Sequence, residues 1–99
     1  MPAALTHEEF SKHLNTTFEV PINEELTLNL ELIEVSEYLV SEHQERYSVF
    51  FRGPEDKILQ QGTRTLVHPA MGEFQLFLVP IGQKDGIRYE AVFNHLVSR

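Results

Sequence analysis

The chain has 99 residues, of which 41% are apolar and 23% charged, with no cysteine and a formal net charge of −7. That length holds one domain with a small core, and the composition excludes global disorder. The missing cysteines exclude disulfides, thiolate metal centres and Cys nucleophiles, and an acidic chain repels nucleic-acid backbones.

The charge is unevenly spread. Residues 1–45 carry ten acids against one base, Lys12, whereas residues 46–99 carry five acids against seven bases. Such asymmetry reads as a solvated acidic face, or as complementary to a basic partner surface. No apolar run approaches the ~20 residues of a membrane helix, and the start, MPAALTHEEF, lacks the basic and apolar regions of a secretory signal. The expectation is a single cytoplasmic domain spanning residues 1–99, without a membrane segment.

In chain order, Thr6 and Glu9 have the T-x-x-E spacing of a capping box, with Leu5 and Phe10 at the positions of a hydrophobic staple. They predict a short helix over residues 7–14, presenting Phe10 and Leu14 on one face. Two turns do not persist alone in water, so this helix must dock. From Phe18 the period becomes two, and Leu26, Leu28, Leu30 and Leu32 alternate with polar residues as in a half-buried strand. The apolar role then passes to Ile33 and Val35. That change of parity predicts a β-bulge or sharp bend, as in a curled sheet.

Ser41-Glu42-His43-Gln44 reads as a turn, and Arg46 to Arg52 as a returning strand that sets Val35 opposite Val49 and Ile33 opposite Phe51. Gly53-Pro54-Glu55-Asp56 stops that strand, because proline donates no ladder bond. The polar loop that follows is expected to tuck Ile58-Leu59 against the body. Gly62 to His68 is the next strand, turned by Pro69-Ala70-Met71-Gly72. The most apolar stretch comes last. It is a hairpin of Gly72–Pro80 and Ile87–Asn94 around the turn Gly82-Gln83-Lys84-Asp85-Gly86, setting Phe74, Leu76 and Leu78 against Phe93, Ala91 and Tyr89. The predicted fold is mostly β: a small antiparallel curled sheet or barrel of five to six strands with one short N-terminal helix.

The second half also carries a distinctive run of residues: Phe51-Arg52-Gly53-Pro54, Gln61-Gly62-Thr63, His68-Pro69, Gly72-Glu73, Leu76-Phe77-Leu78-Val79-Pro80 and Arg88-Tyr89-Glu90-Ala91-Val92-Phe93-Asn94. Over roughly Tyr47 to Asn94 this resembles a family of small bacterial domains of unknown function. The resemblance implies a single small domain, associates it with phage-tail-like assemblies, and brings no catalytic residue with it. The Gly and Pro positions also have a local reading as strand breaks and turns.

Motifs that carry chemistry are sparse. The five histidines, His7, His13, His43, His68 and His95, show no close metal-ligand spacing. His7 reads as a solvated residue of the first helical turn, and His68, before a turn proline, as a capping group. The five serines lie in no nucleophile motif, the glycines form no phosphate loop, and the acid pairs Glu24-Glu25 and Glu55-Asp56 fall in turns. Tyr47, Phe50 and Phe51 between Arg46 and Arg52 have the make-up of a base-stacking platform, but in an acidic chain they read as a core strand. No cofactor, metal or catalytic residue is expected.

One apolar set is left without a place in the core. If Phe74, Leu76 and Leu78 point inward, Phe77 and Val79 point out, with Val92 and Phe50 on the matching parity. A half-exposed sheet carries polar residues there, so Phe50, Phe77, Val79 and Val92 are either covered by Phe10, Leu14 and the Ile58-Leu59 loop or form an association patch. The functional expectation is a non-enzymatic module that docks onto a protein partner or a second copy. The alternative is a ligand-binding or catalytic barrel with a cleft lined by Arg52, Arg64, His68, Arg88 and Tyr89.

Overall fold

A computed structural model describes residues 6–42, 44–83 and 85–96. Leu5 of the expected staple, and His43 and Lys84 of two expected turns, lie outside the described residues, as does the side chain of His95. The elements run α1 (His7–Lys12), β1 (Thr17–Pro21), β2 (Thr27–Val35), β3 (Leu39–Val40), β4 (Gln44–Gly53), β5 (Gly62–His68), β6 (Gly72–Gln83) and β7 (Ile87–Leu96). Every pairing is antiparallel. The order β2-β1-β5-β6-β7-β4 is closed by a further pairing of β2 with β4, which makes a six-stranded barrel with β3 added beside β4.

Alternation builds the inside of this barrel. Phe18 and Val20 of β1, Leu28, Leu30 and Leu32 of β2, Tyr47, Val49 and Phe51 of β4, Leu66 of β5, Leu76 and Leu78 of β6, and Ile87, Tyr89 and Ala91 of β7 are all buried. A barrel this narrow is filled by side chains and encloses no channel. Gly53 is part of the fit, because a Cβ there would lie 2.6 Å from Leu30 Cδ2 and 3.3 Å from Tyr89 Cε1.

The parity change in β2 is a register shift between Leu32 and Glu34 on the β4 side. Ile33 is the extra residue. Val35 does oppose Val49, but Leu32 rather than Ile33 opposes Phe51. The reason is that the bulge absorbs one residue, so counting back from Val35 without it lands one position early. In the last hairpin the inward faces are those expected, with a different register. Val79 pairs with Glu90 and Pro80 with Tyr89. The expected Leu78–Tyr89 pairing is therefore two residues off. Strands β6 and β7 run on to Gln83 and from Ile87, so the turn is shorter than expected and the register is set by it. A second shift between Pro80 and Gly82 bends β6. The two-residue β3, hidden in a polar stretch, raises the count among the described residues to seven strands.

Both open ends are plugged. At one end lie the starts of β1, β4 and β6 and the ends of β2, β5 and β7, and here α1 inserts Phe10, which is fully buried. Its ring lies 5.5 Å from that of Phe93, 6.0 Å from Phe74, 6.4 Å from Phe18 and 6.5 Å from Tyr47. Burying one such side chain stabilises by roughly 1.5–3 kcal/mol, which a six-residue helix cannot supply from its own hydrogen bonds. At the other end the loop after β4 turns in Leu59, while Ile58 stays 61% exposed.

The helix is shorter than expected, since His13 already has a non-helical backbone and closes the helix through its amide on the carbonyl of Phe10. Leu14, past that cap, points to solvent and does not share the face of Phe10. Thr6 is the N-cap, its Oγ1 accepting from the Glu9 amide at 3.1 Å. The Glu9 carboxylate turns to Lys12 at 3.4 Å and His13 at 3.8 Å.

Thr6→Ala should lower stability by about 0.5–2 kcal/mol, read from the urea midpoint; an unchanged midpoint would mean that the cap contributes nothing to docking. Leu76→Ala should cost about 2–5 kcal/mol, whereas Gln75→Ala, on the outer face, should cost less than about 0.5 kcal/mol. Equal losses at these adjacent positions would contradict the inward face of β6.

Candidate functional site

The residues of the alternative cleft do not converge. Arg88 and Tyr89 are neighbours on β7, and alternation sends them to opposite faces. Tyr89 is inside, fully buried, where its hydroxyl accepts the Leu59 amide at 2.9 Å and anchors the plugging loop. Arg88 is outside, opposite Arg52 of β4. Each arginine has an acid from β2: Arg52 lies 2.6 Å from Glu31, and Arg88 lies 3.5 Å from Glu34 with its guanidinium carbon 5.8 Å from the Phe50 ring centre. Both are half-exposed, so these pairs are worth at most about 1 kcal/mol each. Arg64 sits on β5, donating to the Gln60 carbonyl at 2.9 Å. His68 pairs in register with Gly72 of β6, whereas Tyr89 pairs with Pro80, eight positions further along that strand.

Beside Arg52, and without Arg64 or Arg88, lies a shallow, open groove of about 440 Å³ lined by Thr17, Thr27, Asn29, Glu31, Arg52 and Asp85, among others. Its only basic side chain is already tied to Glu31. Among the described residues no group of three or more His, Asp or Glu side chains is placed to hold a metal ion.

The most organised polar cluster lies at the helix end of the barrel. His68 is the only buried polar or charged residue among those described, 4% exposed. Its Nδ1 accepts the amides of Ala70 at 3.0 Å and Met71 at 3.2 Å, so it caps the β5–β6 turn as its position before Pro69 suggests. With Nδ1 accepting, the ring proton is on Nε2, which donates to Thr16 Oγ1 at 3.0 Å. Thr16 in turn donates to the His13 carbonyl at 2.6 Å. The His13 ring lies 4.7 Å from that of His68, and the Phe18 ring 4.3 Å. Burial, and secondly the nearby His13, pull the His68 imidazole below its ordinary titration range. One neutral ring thus joins the C-terminus of α1, the approach to β1 and the β5–β6 turn. Sequence reasoning found the cap but not Thr16 and His13, which stand more than fifty residues away and carry no spacing signal.

His7 corrects its expected solvated role. It is half-buried, donates from Nε2 to the Ser36 carbonyl at 2.8 Å, and packs 5.4 Å from both Tyr38 and Tyr47. Tyr47 is buried; desolvation first, then Tyr38 and Glu45, push its hydroxyl up to about 12, so it stays a neutral phenol. Tyr38 donates to Glu45, and that bond to a carboxylate raises its titration too.

The apolar set is placed differently. Phe77 and Val92 are each 52% exposed on the outer wall, while Phe50 and Val79 are half-buried there, both opposite Glu90. Phe10 and Leu59 are committed to the barrel ends and Leu14 and Ile58 are exposed, so neither helix nor loop covers this wall.

Tyr89→Phe removes the acceptor of a buried amide and should cost about 1–3 kcal/mol in chemical denaturation. An unchanged midpoint would show that the Leu59 loop satisfies its amide elsewhere.

No curated protein and no solved structure matches the chain. A family model, described as Domain of unknown function (DUF6916), matches residues 5–93, a span that takes in the helix, the barrel up to the last residues of β7, and the His68 cluster. The chain belongs to that family of domains of unknown function.

Proposed function

We propose that this domain is a non-enzymatic interaction module that docks onto another protein, or onto a second copy of itself, through the outer wall of β6 and β7. The observation that carries this reading is the pair Phe77 and Val92, each 52% exposed on a wall that neither helix nor loop covers. Large apolar side chains grouped on an outer sheet face favour association when buried, at roughly 25 cal/mol per Å². The filled barrel supports the same reading from the other side, since its interior leaves no room for a substrate. In this reading the module works in the bacterial cytoplasm as an accessory piece of a larger assembly, phage-tail-like assemblies being the association its family resemblance brings.

The variant Phe77→Asp tests it. The substitution leaves the inward face of β6 untouched, so thermal stability should stay close to wild type. Sedimentation velocity should show self-association lost, or affinity capture from the native host should lose a protein that the wild type retains. A monomeric wild type, with identical captured proteins for both, would overturn the proposal.

A further inference from the structure

We propose that the His13–His68 pair is an acid-sensitive latch: a proton taken up by the imidazole under the β5–β6 turn releases α1 and opens the aromatic end of the barrel. This is independent of docking on the outer wall. The geometry leaves the neutral ring no alternative arrangement. Its Nε2–H is already given to Thr16, and its Nδ1 lone pair already receives the amides of Ala70 and Met71. A proton on Nδ1 therefore faces two donors and no acceptor, and the buried Met71 amide loses its partner. The turn and the protonated ring cannot both stay where they are.

The surroundings add to this. Packed against His68 are His13 from the end of α1, Thr16 and Phe18 from the start of β1, and the amides of the β5–β6 turn. The His13 ring, 4.7 Å away, raises the cost of charging His68. Glu9 lies 3.8 Å from His13 Nε2 and is itself bridged to Lys12. Among the described residues no carboxylate contacts His68.

What moves follows from the connections. Thr16 Oγ1 links the imidazole to the carbonyl of His13, the residue that caps α1. The six-residue helix is held by that end, where the Asn15 amide also donates to the Leu32 carbonyl at 2.7 Å, by Phe10, and at its start by the His7 bond to the Ser36 carbonyl. The added proton breaks the two turn-amide bonds at Nδ1 and not the Nε2–H bond itself; as the charged ring leaves the turn it draws Thr16 and the helix end with it, and Phe10 can then leave the rings of Phe18, Tyr47, Phe74 and Phe93. The sign is set by the lowered titration of His68. Its contribution is fully present above the unfolded value of 6.5 and is lost as pH falls through the lower folded value.

The test follows dye binding to exposed aromatic surface, with far-UV circular dichroism, from pH about 8 to about 4.5. Wild type should gain dye fluorescence as pH falls below the unfolded value of 6.5 while its β signal persists. His68→Asn, whose Oδ1 can accept the turn amides but does not titrate, should abolish that step, and His13→Gln should move it to higher pH, because one repelling group is gone. Should His68→Asn not fold, imidazole and amide NMR of the wild type decides: His68, the Met71 amide and the Phe10 ring should share one midpoint. A step that persists in His68→Asn, or a His68 titration that leaves Phe10 unmoved, would overturn the latch.

Discussion

Closure of the sheet through the β2–β4 pairing is the constraint on which everything else rests. A small open antiparallel sheet has two edges whose free amides and carbonyls invite pairing with other chains. Joining β2 to β4 removes both, and it requires β2 to pair with β1 over its first half and with β4 over its second. The strand has to bend between the two partners. The bulge at Ile33 supplies that bend, which is why the apolar parity changes there.

A closed barrel solves the edges and creates two open ends. Here the ends are stopped by unlike means. Leu59 is drawn in by a loop whose amide is fixed on the Tyr89 hydroxyl. Phe10 comes from a helix too short to stand alone, and its position depends on the aromatic rings it joins and on the His13–Thr16–His68 connection beside it. Both stoppers thus join a buried apolar side chain to a polar anchor, and the anchor at the helix end is the one built on an imidazole.

With the interior filled and the ends closed, the outer wall is the surface that meets solvent. It has two characters. The β2–β4–β7 side carries the Glu31–Arg52 and Glu34–Arg88 pairs, charges compensated within the domain. The β6–β7 side carries Phe77 and Val92 at half exposure with no such partners. The former is a solvated wall; the latter is where burial would release apolar surface from water.

The amino-acid sequence by itself determined the class of fold and the sidedness of its strands. Period-two alternation in Leu28 to Leu32 and in Leu76 to Leu78 is a local property, and so is the capping of α1 by Thr6. Even the bulge was legible, because a parity change shows in a single strand. Register was not: the two-residue offset in the last hairpin depends on where the turn closes, and Ile33 lost its expected partner to the residue the bulge absorbs. The cleft that Arg52, Arg64, His68, Arg88 and Tyr89 suggested could be judged only in three dimensions, since residue types do not say which neighbours share a face once strands are joined. The His68 cluster was decided by tertiary structure for the same reason. Its two halves, His13 with Thr16 and His68 with the β5–β6 turn, are each local, but they meet only because the barrel brings the end of α1 over that turn.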